Sequence, residues 1–192
     1  MISFDQAKQI ALQKIGPECG LIEDSTIEKP YGWYFMYQSK EFLRTGDHRH
    51  MLLGSGGFIV EKENARIFKF GSAFSLEENF SAYEYGLKYD RYDLTITSIR
   101  DLERTLDFLL RLKLHFVIPE FAHGRQWRVP QPYRLNQLRE KLAALPTTFQ
   151  DCRGFHFCYE VFLEIDKAGC FGYELREHQP PKDAASSPSP MG

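Results

Sequence analysis

The sequence predicts an α+β fold in which helices pack on an antiparallel sheet, followed by an extension that contains a helix and a β-hairpin. Three observations support this fold class. The chain opens with an amphipathic helical pattern at residues 4–15, and a strand that is apolar on both sides follows at residues 31–37. Residues 155–165 then alternate between apolar and polar side chains without a break, and a return strand is predicted at residues 170–177.

The composition is that of a globular protein with many aromatic residues. Among the 192 residues, 43% are hydrophobic and 26% are charged, which is ordinary, whereas 15% are aromatic, which is high. The net charge of −2 gives the whole molecule no strong attraction to nucleic acid or to a membrane. With no leader pattern and no apolar run of membrane length, we expect a cytoplasmic protein with free thiols. The cysteines are Cys19, Cys152, Cys158 and Cys170.

The first helix is predicted at residues 4–15. Ser3 is a good N-cap residue, and Gln6 completes a capping box with it. Gly16 is expected to end the helix. A first strand is predicted at residues 21–27.

The central strand at residues 31–37 carries large side chains on both faces. Because strand side chains alternate, Trp33 and Phe35 share one face. Tyr34 and Met36 point to the other. A strand that is apolar on both sides lies between two layers, so we expect Trp33 to be buried.

Short elements fill the rest of the first half. They are a helical turn at 39–43, a hairpin of strands at 58–60 and 66–70, a helix from Ser75 to Tyr85, and a strand at 90–97. Ser75 and Glu78 form a second capping box, and Gly86 is the expected C-cap of the helix.

The second half is predicted to alternate helices and strands around a proline-rich loop. Three prolines indicate that residues 119–132 form a loop with at most a short edge strand. The predicted elements are a helix starting at Ser98 with Leu102, Leu106, Leu109 and Leu110 as its apolar stripe, an apolar run at 114–118, a helix at 133–145 with Leu135, Leu138 and Leu142 inward, and the hairpin of strands 155–165 and 170–177. We divide the chain into domains 1–98 and 99–178, followed by a disordered tail at 179–192.

No motif in the chain carries a complete catalytic or metal-binding signature. The glycine-rich stretch at residues 54–57 is followed by a strand and lacks the lysine of a phosphate-binding loop, so we interpret it as a turn. His48 and His50 lack a third ligand. A group of Cys152, His156 and Cys158 is a candidate for metal or nucleophilic chemistry. Strand geometry puts His156 and Cys158 on one face and Cys170 on the other, and the His156–Cys158 pair lies in the middle of the predicted strand, so the groups do not converge. We therefore predict no catalytic residue, no metal and no cofactor.

Two stretches combine charge with aromatic side chains in the manner of protein-binding surfaces. The first, here called the acidic–tyrosine stretch (residues 77–93), offers the predicted partner-binding residues Glu77, Glu78, Tyr83, Tyr89, Asp90 and Asp93. The second, here called the basic–aromatic stretch (residues 125–141), is the alternative, with Arg125, Trp127, Arg128 and Arg134. It could bind phosphate or an acidic protein, or simply form a solvated face.

Residues 1–98 resemble a known family through several structural motifs. These are the opening amphipathic helix, the sequence IEKPYGWYFMYQS at 27–39, LGSGGFIV at 53–60 with the hairpin that follows, and FGSA at 70–73 before the Ser75 helix. In these features the segment resembles the YrhB-like domain, which is shared with immunity protein family 35 of bacterial polymorphic toxin systems. The family favours Asn and Pro inside the glycine turn, where this chain has Ser55 and Gly57. Residues 99–192 carry no such resemblance.

The resemblance implies a small α+β domain that is not an enzyme and that binds and neutralises a cognate toxin or secretion-system effector by occluding its active site. A large complementary interface with aromatic and charged anchors would suit this role. The alternative is a chaperone-like or general protein-binding module without catalysis. The expected partner is therefore a protein.

Overall fold

A computed structural model describes residues 1–122 and 124–179, and the described residues form an α+β fold with antiparallel sheets, as predicted. The chain divides into two compact units, Met1–Lys88 and Tyr89–Gly192. The strand that precedes residue 98 thus lies in the second unit. Except for Gln179, the predicted tail lies outside the described residues.

The first unit contains three helices and six short strands within its described residues. The four-stranded antiparallel sheet has the order β2-β3-β5-β6, and β1 pairs separately with β4. The elements are α1 (Phe4–Ile15), β1 (Cys19–Leu21), β2 (Ile27–Lys29), β3 (Gly32–Phe35), β4 (Tyr37–Ser39), α2 (Lys40–Thr45), β5 (Phe58–Glu61), β6 (Ile67–Lys69) and α3 (Leu76–Tyr85).

The central strand β3 is buried on both faces, as expected. Trp33 is 6% exposed and belongs to the cluster in which Ala7 and Ala11 of α1 pack against the sheet. Small alanine side chains let the helix approach the aromatic strand closely. On the opposite face, the Tyr34 ring lies 5.6 Å from the ring of Phe80 in α3. Both capping boxes predicted for α1 and α3 are present.

Two predicted strands of the first unit are divided in the structure. The segment predicted as one strand at 31–37 forms β3 and β4, which lie in different sheets. Met36 separates them, and its carbonyl accepts a hydrogen bond from Ile22 N–H at 2.9 Å. The strand predicted at 21–27 is interrupted by a 3₁₀ helix at Glu23–Ser25, whose short polar residues favour turns.

The second unit has a three-stranded antiparallel sheet of order β10-β7-β11, a separate two-stranded ribbon of β8 and β9, and three helices in its described part. Alternate residues of β7 (Tyr92, Leu94 and Ile96) are buried, and the Tyr92 ring lies 5.6 Å from that of Phe155. The elements are β7 (Arg91–Ile99), α4 (Leu102–Arg111), β8 (His115–Ala122), β9 (Arg125–Pro132), α5 (Leu135–Leu142), β10 (Thr147–Arg153), α6 (Tyr159–Ala168) and β11 (Phe171–Glu177).

The prediction of a strand at residues 155–165 is wrong. A 3₁₀ helix at Phe155–Cys158 leads into α6, which ends at the left-handed Gly169. Phe162 and Ile165 are buried three residues apart, as on a helix, whereas Phe157 is 56% exposed. The alternating pattern was therefore coincidental, and β11 pairs with β7 instead of with residues 155–165.

The prediction of a loop at residues 119–132 is also wrong, because these residues complete the ribbon of β8 and β9. Cross-strand pairs in an antiparallel ribbon alternate between hydrogen-bonded and non-hydrogen-bonded positions. Each of the three prolines belongs to one alternating set of cross-strand pairs. These pairs are Pro119 with Arg128, Pro130 with Val117, and Pro132 with His115. A single set of non-hydrogen-bonded positions can thus accommodate every proline without loss of a ladder bond.

Helices α4 and α5 begin later than predicted, and fewer of their leucine side chains are buried. Asp101, not Ser98, caps α4, because its side chain accepts a hydrogen bond from Arg104 N–H. Leu102 and Leu110 of α4 are about two-fifths exposed, and Leu135 of α5 is 45% exposed. The apolar stripes therefore narrow to Leu106 and Leu109 in α4, and to Leu138 and Leu142 in α5.

Candidate functional site

The acidic–tyrosine stretch is divided between the two units. Glu77, Glu78 and Tyr83 lie in helix α3 of the first unit. Tyr89, Asp90 and Asp93 lie in the second unit, at or just before β7. Each part is therefore considered by itself.

The two glutamates in the first turn of α3 are both exposed but differ in their contacts. Glu78 accepts a hydrogen bond from Ser75 N–H at 2.7 Å and donates its own N–H to Ser75 Oγ at 3.2 Å, which completes the capping box. Hydrogen bonding to Ser75 lowers the pKa of Glu78. The Glu77 side chain forms no hydrogen bond or ion pair with the described residues. Of the two carboxylates, Glu77 is the one available to a partner.

Tyr83 is directed into the first unit rather than toward solvent. The residue is 5% exposed, and its hydroxyl donates to Glu61 Oε1 at 2.5 Å. Lys88 Nζ lies 3.2 Å from the same oxygen. Burial acts to raise the pKa of Glu61, but hydrogen bonds from Tyr83, Asn64 and Lys88 outweigh it, and the net pKa is lowered. A partner docking on this surface would not reach the Tyr83 ring.

In the second unit, Asp90 is exposed, whereas Asp93 forms hydrogen bonds within the fold. Asp93 Oδ1 accepts the backbone N–H of Asp151 at 3.0 Å and lies 2.7 Å from His178 Nδ1. Tyr89 is half-buried, and its N–H donates to the hydroxyl of Tyr92 at 2.7 Å. Asp90 is therefore the accessible carboxylate of this part.

The basic–aromatic stretch lies on the ribbon and at the start of α5. Arg125, Trp127 and Arg128 are in β9, and Arg134 precedes α5, where its N–H donates to Gln137 Oε1 at 2.9 Å. Arg125 and Arg128 are exposed and form no ion pair with the described residues. Trp127 is 53% exposed. This stretch thus presents cations and an indole ring to solvent.

The register assigns these residues to opposite faces of the ribbon. Arg125 and Trp127 pair with Ala122 and Glu120, whereas Arg128 pairs with Pro119 in the other alternating set. No single flat partner can contact Arg125 and Arg128 from one side.

The glycine-rich stretch at residues 54–57 is a packed turn. Gly57 has a left-handed φ of 72°, and a Cβ atom there would overlap the Tyr34 ring. The Tyr34 hydroxyl donates to the carbonyl of Gly56 at 3.0 Å. The glycine is thus explained by close packing against the central strand.

The pKa values of Cys152, His156 and Cys158 are shifted in the direction that favours their neutral forms. Burial raises the pKa of Cys152 to about 12 and also raises that of Cys158, so neither thiol is activated as a thiolate. Burial lowers the pKa of His156. Among residues 1–122 and 124–179, no group of three or more His, Cys, Asp or Glu side chains is arranged to hold a metal ion.

The exposed apolar side chain of Leu53 was not identified from the sequence. Leu53 is 84% exposed, and the loop that carries it is anchored by the buried Gln38 side chain, which bonds to both the N–H and the carbonyl of Leu52. The neighbouring Gly54 lies beside Ser72, and Asn79 of α3 donates to the carbonyl of Gly71 at 3.0 Å. The Leu53 loop thus lies close to the segment that leads into α3. The only sequence signal was a pair of leucines directly before a glycine-rich turn.

In the part of the chain that the structure describes, no helix is both long enough and apolar enough to span a lipid bilayer.

Comparison with known proteins supports the resemblance for the first unit. Residues 6–83 match the family model described as Immunity protein 35. An uncharacterised protein, YrhB of Escherichia coli (strain K12), is 43% identical over 53 residues, which cover 28% of this chain and 56% of that protein. The chain thus spans little more than half the length of this relative. No solved structure matches the chain significantly. The match to immunity protein 35 thus lies within the first unit and covers less than half of the chain.

Proposed function

We propose that this protein binds and neutralises a cognate toxin of a bacterial polymorphic toxin or secretion-system effector pair, in the bacterial cytoplasm, by covering the active site of the toxin. The match of residues 6–83 to an immunity protein family carries the proposal. Neutralisation by occlusion requires a stable surface with anchors and no chemistry of its own. We accordingly propose a role without catalysis.

The accessible carboxylates of the acidic–tyrosine stretch, each considered within its own unit, are proposed as partner contacts. Many intracellular toxins act on nucleic acids or nucleotides, and their active sites are basic because the substrates are anionic. Carboxylates are therefore suitable groups to block them. Glu77 in the first unit and Asp90 in the second are exposed and bear the charge. Glu78, Tyr83, Tyr89 and Asp93 act mainly by holding these elements in place.

Leu53 is proposed as the apolar anchor of the first unit. Binding interfaces need a desolvated side chain beside the charged ones, and rigidly held residues bind at lower entropic cost. The buried Gln38 amide fixes the backbone next to Leu53. The loop lies close to Ser72, and the neighbouring Gly71 is hydrogen-bonded to Asn79 of α3, the helix that carries Glu77.

The alternative function is a chaperone-like or general protein-binding module. The ribbon favours it, because Phe121 is 77% exposed and Trp127 is 53% exposed on a two-stranded element. Exposed aromatic side chains can bind many apolar segments without strong preference. Specificity for one partner therefore separates the two functions.

The test is co-expression in bacteria with the protein encoded beside this chain. We expect growth to be restored, and the two proteins to purify together as a stoichiometric complex. A panel of unrelated toxins serves as the control, and none of them should be neutralised. Protection against several unrelated toxins would favour the chaperone-like role, and no protection at all would contradict neutralisation of the neighbouring protein.

The surface within the complex is tested by Leu53→Asp. The exposed Leu53 side chain contributes little to the fold, so we expect unchanged unfolding but weaker complex formation. Leu43→Asp is a matched control, since Leu43 is also an exposed leucine of the first unit, at 43% exposure. An equal loss of binding in both variants would argue against a specific anchor.

A further inference from the structure

A cavity of about 530 Å³ lies entirely within the second unit. Its floor is apolar and buried, formed by Leu112, Leu114, Cys152 and Phe155. One face of the ribbon forms a wall, because His115, Val117, Arg128 and Pro130 all belong to the same alternating set of cross-strand pairs. This volume falls in the range of small-molecule sites in proteins.

The cavity carries an excess of positive charge. Arg91, Lys113, Arg128 and Arg153 line it, against the single carboxylate of Asp151. Asp151 Oδ1 accepts Arg91 Nε at 2.5 Å and Arg153 Nε at 3.3 Å, so these two arginines share one negative charge. The side chains of Lys113 and Arg128 form no hydrogen bond or ion pair with the described residues.

The backbone departs from regular structure at residues that line the cavity. Between Phe149 and Cys152, strand β10 holds one more residue than its partner β7, which forms a β-bulge at Gln150 and Asp151. Lys113 and Asp151 adopt left-handed conformations with φ of 52° and 54°, and only three non-glycine residues of the described chain do so. Bulges and such conformations concentrate at binding sites.

We infer that this cavity binds a small organic phosphate ester, with the phosphate at the cationic rim and the apolar body on the buried floor. A phosphate monoester carries close to two negative charges at neutral pH, which matches the two cations without an intramolecular partner. Arg128 and Lys113 bind the phosphate, and Arg91 and Arg153 add to the local positive potential. The inference does not depend on the proposed toxin partner, and its test uses the protein alone.

The test is calorimetric titration of the full chain with phenyl phosphate at low salt. We expect a dissociation constant below about 1 mM, and much weaker binding of inorganic phosphate, which lacks the apolar body. Arg128→Gln and Lys113→Gln should each weaken binding about tenfold, since each removes a charge-assisted contact. Circular dichroism checks that the variants are folded.

Arg125→Gln is the matched control. Arg125 is also an exposed arginine of β9 without an ion pair to the described residues, but it lies on the other face of the ribbon. Its replacement should leave the affinity within about twofold. Absence of phenyl phosphate binding, equal binding of inorganic phosphate, or equal losses in the Arg125 and Arg128 variants would each overturn the inference.

Discussion

The acidic–tyrosine and basic–aromatic stretches both combine charged with aromatic side chains, but they use these side chains in different ways. In the first, Tyr83 is buried on Glu61, Glu78 caps its helix and Asp93 accepts the N–H of Asp151. In the second, Arg125 and Arg128 have no ion pair with the described residues. Most charge in the acidic stretch therefore stabilises the fold, whereas charge on the ribbon is left for solvent or a ligand.

The difference follows from the elements that carry the residues. Helix α3 and strand β7 each have one face in a core, so about half of their side chains must be buried or paired. The ribbon of β8 and β9 is a separate two-stranded sheet, and most of its side chains are exposed on both faces. The density of charged and aromatic residues in a sequence thus does not identify the surface that a partner contacts.

The largest expected effect compares one aromatic residue from each stretch. Tyr83→Ala should lower the free energy of unfolding by about 3–5 kcal/mol, because it leaves a cavity and removes a hydrogen bond to Glu61. Trp127→Ala should lower it by less than about 1 kcal/mol, since the indole is already half exposed. Urea denaturation measures both values. Similar losses in the two variants would contradict the different roles assigned to the two side chains.

A smaller effect is expected at the buried carboxylate below Tyr83. Glu61→Gln should destabilise the protein by about 1.5–3 kcal/mol at neutral pH, because it removes the charge that accepts bonds from Tyr83 and Lys88. The pKa of Glu61 is lowered in the folded state, so its contribution is present above the unfolded-state pKa and is lost as the pH falls through the folded-state pKa.

The pH dependence provides the measurement for Glu61. The stability difference between wild type and Glu61→Gln should be constant near neutral pH and shrink below about pH 4. Glu77→Gln is the control, because Glu77 is exposed and has no partner among the described residues, and its stability should follow that of wild type throughout. A difference that grows in acid would contradict the assigned role of Glu61.

The first unit could be predicted well because its signals are local. The capping boxes at Ser3 and Ser75 define the starts of α1 and α3, and the aromatic residues of the central strand identify its two covered faces. The break at Met36 could not be predicted, since it depends on a hydrogen bond to Ile22 from a distant turn. Family resemblance was also limited to this unit.

The second unit was harder to predict because local patterns conflict there. The sequence from Phe155 to Ile165 fits both the two-residue period of a strand and the 3.6-residue period of a helix. Burial of Phe162 and Ile165 against the sheet favours the helix. The ribbon tolerates prolines only because they occupy one set of cross-strand positions, which is a property of register. The cavity is equally invisible in sequence, since Lys113, Arg128 and Asp151 meet there only through the fold.

A third test compares two aspartates of the acidic–tyrosine stretch, Asp93 and Asp90. Asp93→Asn should lower the free energy of unfolding by about 1 kcal/mol, because it weakens the contacts with His178 and with the bulge at Asp151. Asp90→Asn should have no measurable effect, since Asp90 is exposed. Thermal unfolding distinguishes the two variants. If Asp90 proved the more important residue, the structural role assigned to Asp93 would be wrong.

The last prediction concerns the rate at which the proposed toxin binds, and its variants should have the smallest effect on stability. Reversing the exposed carboxylates, with Glu77→Lys and Asp90→Lys, should slow association with the toxin by roughly threefold to tenfold at low salt, because charge complementarity steers encounter. Added salt should reduce the difference, since it screens exposed charges. Stopped-flow association at two salt concentrations measures both effects.

The matched reversal on the ribbon is Arg125→Glu, which changes the charge by as much as either single carboxylate reversal, with the opposite sign. If the acidic surface faces a basic active site, this variant should associate at nearly the wild-type rate, whereas an acidic partner bound by the ribbon would make it the slow variant. Because Arg125 does not line the cavity, the result is independent of any anion bound beside Arg128. Slow association of Arg125→Glu alone would therefore move the proposed interface from the acidic–tyrosine stretch to the ribbon.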